Sequence, residues 1–135
     1  MKCVMMIDPT LPAGLMANTA AVLAVSIGNR IPTIIGEDVR DADGTVHPGI
    51  TRLGIPVLKG DREQIAGLRS RILGMEVPDL YCVDFCDVAQ RSRDYSHYTD
   101  RMGKTPASRL SYLGIAICGP EKTVNALTGN APLLR

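Results

Sequence analysis

The chain opens on a strand-length apolar run, Lys2 to Asp8, that passes through "DPTLPAGL" into a nearly uncharged helix-length run, Leu15 to Gly28. No other feature constrains the fold as strongly. A continuous apolar strand must be covered on both faces, which places it inside a sheet. Pro9 and Pro12 keep the connection extended or turned, and Gly14 allows a tight entry into the helix. From Leu15 to about Ile27 the composition predicts helix, with Ala17, Ala20, Ala21 and Ala24 as a small-residue stripe for close approach to a sheet. Leu15, Val22 and Val25 lie on another side and call for cover by the domain or a second subunit.

The rest of the chain repeats this alternation. "LGIPVL", Leu53 to Leu58, reads as a second strand, with Pro56 marking an edge or a bulge. Asp61 and Gln64 form a capping box for a helix whose apolar face is Ile65, Leu68, Ile72 and Leu73, and Gly74 ends it. Leu80 to Phe85 is a third strand. Arg91 to Lys104 is a polar helix seamed by Tyr95, Tyr98 and Met102. Thr105-Pro106 opens a short helical turn, Tyr112 to Cys118 is a fourth strand, and Pro120 opens a last helix closed by Gly129. Between the first helix and the second strand, "IPTIIGEDV" adds a short helix and "DADGTVHPG" is loop. The expected fold is a single three-layer α/β/α domain, residues 1–135, around a small mixed, mostly parallel sheet.

Charge narrows the partners. Fifteen basic and fourteen acidic side chains leave a net charge of +1, so no broad field favours nucleic acid or an anionic membrane. Arg91, Arg93, Arg101 and Lys104 alternate with tyrosines in a manner suited to RNA, but Asp94 and Asp100 dilute them, and a solvated helix is the better reading. The apolar helix is shorter than the roughly 20 residues a bilayer requires. Asp8, Pro9 and Pro12 break a signal-peptide pattern, so a cytoplasmic protein is expected.

No metal or cofactor is expected. With Gly44 at position six of a calcium loop, Asp41 and Asp43 fit ligand positions, yet Val39 and Ile50 stand where carboxylates are required. "DPTLPAGL" has one glycine and no lysine, so it does not support a nucleotide phosphate loop. Cys3, Cys82 and Cys118 lie inside strands, and Cys86 lies at a strand end without a second ligand pair. The four are expected to be buried reduced thiols.

Chemistry concentrates where strands end, because ligands of open α/β sheets bind beyond strand C-termini. Asp8 ends the first strand, and "VDFCDVAQ" ends the third. Were those strands neighbours, Asp8, Asp84 and Asp87 would share a crevice with the first helix, and crowded carboxylates would push one pKa upward. Asp84 and Asp87 are therefore the candidate catalytic residues. Asp8, Gly14, Asn18, Thr19 and Gln90 are the candidate ligand contacts, with free amides at the helix N-terminus suited to an acidic group.

"DPTLPAGLMANTAAVLAVSIG", "DADGTVHPGI", "VDFCDVAQ" and "YLGIAICGPEKTVNALTGNAPLLR" together resemble an uncharacterised bacterial family, the domain of unknown function numbered 2000. The resemblance implies a fold similar to the type II peptidyl-tRNA hydrolases, often dimeric. Asp8 and Gly14 reproduce the spacing between their first strand and active-site helix, and Gly119-Pro120 and Thr128-Gly129 resemble their last strand and helix. The decisive side chains differ: Leu15 stands at the lysine position, Thr19 at the glutamine and Val22 at the histidine.

Three functions remain. The first is a small-molecule binding protein or enzyme for an amino-acid-like ligand, with a crevice at the strand C-terminal ends. The second is a divergent peptidyl-tRNA or aminoacyl-ester hydrolase with an aspartate-activated water. The third is a non-catalytic homodimeric module.

Overall fold

The computed structural model describes residues 1–135. Strand β1, Lys2–Ile7, alternates as its apolar run requires: Cys3, Met5 and Ile7 pack on one face, Val4 and Met6 on the other, all buried. Helix α1, Ala13–Arg30, covers the first face with Leu23 and Ile27.

The remaining strands are β2 (Val39–Arg40), β3 (Val46–His47), β4 (Val57–Lys59), β5 (Tyr81–Cys86) and β6 (Tyr112–Gly119). The remaining helices are α2 (Arg62–Leu73), α3 (Asp87–Gln90), α4 (Tyr95–Gly103) and α5 (Glu121–Thr128). Helices α2 and α5 cover the second sheet face through Ile65, Leu68, Ile72, Val124 and Leu127. The layers are therefore α/β/α, as expected. The capping box at Asp61 and Gln64 forms, each side chain bonding the other residue's amide at 2.8 Å.

The sheet has the order β4-β1-β6-β5 and is mixed, but it is not mostly parallel. Strands β1 and β4 are parallel, whereas β6 is antiparallel to both of its neighbours. The reason lies in the chain between β5 and β6. Helices α3 and α4 turn back at the end of the sheet where β5 finishes instead of crossing to its other end, so β6 returns antiparallel.

Four further expectations change. Of the α1 alanines only Ala20 packs inward: Ala17, Ala21 and Ala24 are exposed, and Thr19, Leu23 and Ile27 face the sheet. The close approach is supplied by Gly114 of β6, where an added Cβ would stand 2.6 Å from the Thr19 methyl. The "DADG" segment is a turn as expected, with Gly44 at φ 85°, but its flanks are not loop: they pair as a small β2–β3 ribbon. Within it the Asp41 carboxylate accepts from the Asp43 and Thr45 amides and pairs with His47. Helix α4 starts at Tyr95, not Arg91, because Asp94 caps it by accepting the His97 amide at 2.7 Å.

The cysteines are the fourth change. Cys3 and Cys118 are not free thiols but a disulfide. They are directly paired residues of adjacent strands, on the same face, with Cα atoms 4.2 Å apart. Both are fully buried under α1. Cys82 and Cys86 are free.

Candidate functional site

Strands β1 and β5 both run antiparallel to β6, so Asp8 and Asp84 approach the same end of the sheet. They are not neighbours, because β6 lies between them. Two strand spacings separate the strands by about 10 Å. The shared carboxylate crevice is thus divided.

Asp8 has local partners. Its Oδ1 accepts from the Thr10 amide at 2.9 Å and the Thr10 hydroxyl at 2.7 Å, and its Oδ2 faces Arg62 Nε at 3.3 Å. Burial works to raise the pKa of this carboxyl, but the Thr10 hydrogen bonds and the Arg62 guanidinium together hold it below the usual carboxylate value. Asp8 is an ionised link between β1 and α2, not a raised-pKa base.

Thr19 is not a polar tooth. It is fully buried, and its hydroxyl donates to the Leu15 carbonyl at 2.8 Å. Gly14 and Asn18 lie on the exposed side of α1, and Gln90 is exposed at the end of α3. Asp87 accepts the Ser111 amide at 3.0 Å while its own amide donates to the Ser111 carbonyl, which pins the β5–α3 corner to the start of β6.

Among the expected residues, Asp84 lines a cleft of about 340 Å³ with apolar walls, whereas Asp8 lines a shallower, wholly polar depression with Thr10, Asp61, Arg62 and Glu63. One wall is α1, through Val22 and Ser26; the floor is Val83, Asp84 and Phe85 of β5. The other wall is Ala89, Ser92 and the start of α4, with Asp94, Tyr95 and Tyr98. Val83 and Phe85 pack toward α1, whereas Asp84 reaches Arg69 of α2 on the opposite face. The cleft therefore straddles the outer edge of β5.

Its lining carries charge of one sign, and Arg69 behind it compensates one of the two carboxylates. Asp84 and Asp94 are its ionisable carboxylates, and no lysine, arginine or histidine lines it. Asp84 Oδ2 accepts from Arg69 Nε at 2.7 Å, which leaves Oδ1 without a protein partner. Tyr95 and Tyr98 meet edge to face with ring centroids 5.4 Å apart, and Tyr95 is 79% exposed. Burial, with nearby Cys86 and Asp84, pushes the Tyr98 phenol up, so it is a neutral hydrogen-bonding group at physiological pH. Apolar walls, two aromatic rings and two carboxylates suit a ligand with an apolar body and a cationic or hydrogen-bond-donating end.

The whole chain, residues 1–135, matches a family described as a protein of unknown function, DUF2000. The chain belongs to that family. Among solved structures, it is similar to a protein of unknown function from Agrobacterium tumefaciens strain C58, 20% identical, with a TM-score of 0.87 over 98% of this chain and 96% of that one. At that identity the likeness is one of fold. No curated protein matches.

The sequence showed Tyr95 and Tyr98 as a helix seam and Asp94 as one of that helix's charges, not as a site. Their link to Val22 and Ser26 exists only through the packing of α1 and α4 about β5. A single signal pointed that way, the placement of "VDFCDVAQ" at a strand end.

Proposed function

We propose that this chain is a small-molecule binding protein whose ligand is amino-acid-like, and that it binds in the cleft at the β5 edge. The observation that carries this reading is the lining: two carboxylates, an aromatic pair and aliphatic walls, with no cation. An amine is attracted by Asp94 and by the open Oδ1 of Asp84, while an apolar side chain rests against Val22, Val83 and the tyrosines. Hydrolysis is the weaker reading. Val22, at the position where the hydrolase resemblance has a histidine, contributes only an aliphatic surface to this cleft. Asp84 holds an arginine, not a catalytic partner.

The type II peptidyl-tRNA hydrolase-like fold, a homodimer and a cytoplasmic location belong to the same reading. What supports the first is the Asp8-to-Gly14 spacing at the β1–α1 junction. The uncharged outer face of α1, with Ala17, Ala21, Ala24 and Val25 exposed, supports the second. No helix is long and apolar enough to cross a membrane. Both residues of the Cys3–Cys118 bridge are fully buried, which slows its exchange with a thiol reductant.

Calorimetric titration with amino acids and primary amines tests the reading. Binding by at least one amine, weakened about tenfold or more by Tyr95→Ala and by Asp94→Asn, is expected. A flat response across the panel ends it.

A further inference from the structure

The two edges of the sheet are treated differently. On the β4 edge the C-terminal segment of the chain adds itself as a strand: Lys59 donates to the Pro132 carbonyl, Leu134 donates to the Val57 carbonyl, and Leu58 bridges Leu133. On the β5 edge nothing pairs. The direction of each residue's main chain follows from the register. Met5 donates across to Pro56 beside β4, and Asp8 donates to Leu113 beside β6, so alternate residues of β1 face opposite neighbours. By the same alternation Gly114, Ala116 and Cys118 of β6 turn toward β5 and meet Phe85, Val83 and Tyr81. Cys82 and Asp84 are left with their amides and carbonyls facing outward.

Exposed edges are ordinarily guarded by lysine, proline or a covering segment. Strand β5, "YCVDFC", has no lysine or proline, its one charge, Asp84, is drawn to Arg69 of α2, and its one irregularity comes only at Phe85 and Cys86. The edge is also recessed, because Val22 and Ser26 stand on one side and Tyr95 and Tyr98 on the other. A recessed edge does not meet the same recessed edge of a second copy. It accepts an inserted extended chain.

We infer that the β5 edge binds an extended peptide bearing a lysine or arginine, added as an outer strand whose main chain pairs with Cys82 and Asp84. One side chain enters the cleft between Val22 and the tyrosine pair. Charge complementarity selects the basic residue: the Asp94 carboxylate has no cationic partner, and Arg69 holds only one oxygen of Asp84 and leaves Oδ1 open. Strand addition supplies affinity through main-chain hydrogen bonds and specificity through alternate side chains. The inference rests on the proposed ligand cleft and names its ligand class as peptide, where a free amino acid would use the carboxylates and rings alone.

The test uses the full chain and fluorescein-labelled hexapeptides, blocked at both ends, with valine or threonine at alternate positions and one lysine scanned through the rest. Fluorescence polarisation finds the best binder, which is then remade with a single N-methyl group at each position in turn. The expected result is a loss of tenfold or more when the amide facing Asp84 is methylated, and less than threefold at the residues on either side. Val22→Trp, which fills the cleft from an exposed helix position, abolishes binding with an unchanged circular dichroism spectrum. A uniform effect of N-methylation overturns strand addition. Binding of amines or amino acids with no peptide bound overturns the peptide and leaves the small-molecule reading intact, and silence from both overturns both. A dimer in sedimentation that dissociates on adding the peptide still supports the inference, whereas a dimer that excludes every peptide assigns the edge to a second copy and overturns it.

Discussion

Thr19 of α1 and Gly114 of β6 occupy adjoining space: a Cβ at position 114 would stand 2.6 Å from the Thr19 methyl, 3.2 Å from a Leu23 methyl and 3.3 Å from the Met6 carbonyl. This contact sets the distance between the first helix and the sheet. It explains a buried threonine on an otherwise aliphatic face, because its hydroxyl bonds back to Leu15 and its methyl packs at the seam. Gly114→Ala is expected to destabilise the fold by about 1–3 kcal/mol through overpacking. Adding Thr19→Ser, which keeps the hydroxyl and removes the methyl, should restore part of the loss in urea unfolding.

The Asp84–Arg69 pair is partly sheltered, with side-chain exposures of 22% and 29%, and the Arg69 guanidinium lies 5.5 Å over the Tyr112 ring. The Asp84 hydrogen bond, outweighing partial burial, raises the Arg69 pKa above its already high value, so the arginine is charged throughout the accessible range. A double-mutant cycle of Asp84→Asn and Arg69→Met should give a coupling energy of about 0.5–2 kcal/mol. Additive losses would show that the contact contributes nothing net.

Asp8 predicts a pH dependence. Burial opposes its charge, but Thr10 and Arg62 hold the folded carboxyl below its ordinary value, so the folded chain binds fewer protons at this site than the unfolded chain. Its stabilisation is therefore present above about pH 4, the unfolded carboxylate value, and is lost as pH falls through the lowered folded value. Asp8→Asn is expected to cost about 1 kcal/mol at pH 7. The gap between wild type and variant should close as urea titrations are repeated toward pH 2.

Thiol chemistry separates the four cysteines into two classes. Without reductant, the denatured chain should titrate as two thiols, Cys82 and Cys86, because Cys3 and Cys118 are bridged. In the folded chain, burial and the Asp84 charge push the Cys82 thiol up to about 11, with Arg69 opposing weakly, and burial also raises Cys86. Since the thiolate is the nucleophile, iodoacetamide at pH 8 should modify both at least tenfold more slowly than it modifies free cysteine. Rapid alkylation of Cys82 in the folded chain would contradict its sheltered position.

Much of the architecture was legible in the chain. The apolar run of β1, the capping box of α2 and the Pro120-to-Gly129 span of α5 each carry a local signal, since strand burial, helix caps and turn residues act over a few positions. Sequence placed the candidate chemistry at strand ends, and Asp84 does line the cleft. Strand order and direction carried no such mark. The interposition of β6 between β1 and β5 separated Asp8 from Asp84, gave each its own arginine, and set Cys3 against Cys118. It also left β5 at an edge, where Val22, Asp94 and Tyr95 converge across more than seventy residues of chain. Local interactions determine which segments are strands and helices; which groups become neighbours is decided only when the layers pack, because packing is where distant residues compete for the same buried space.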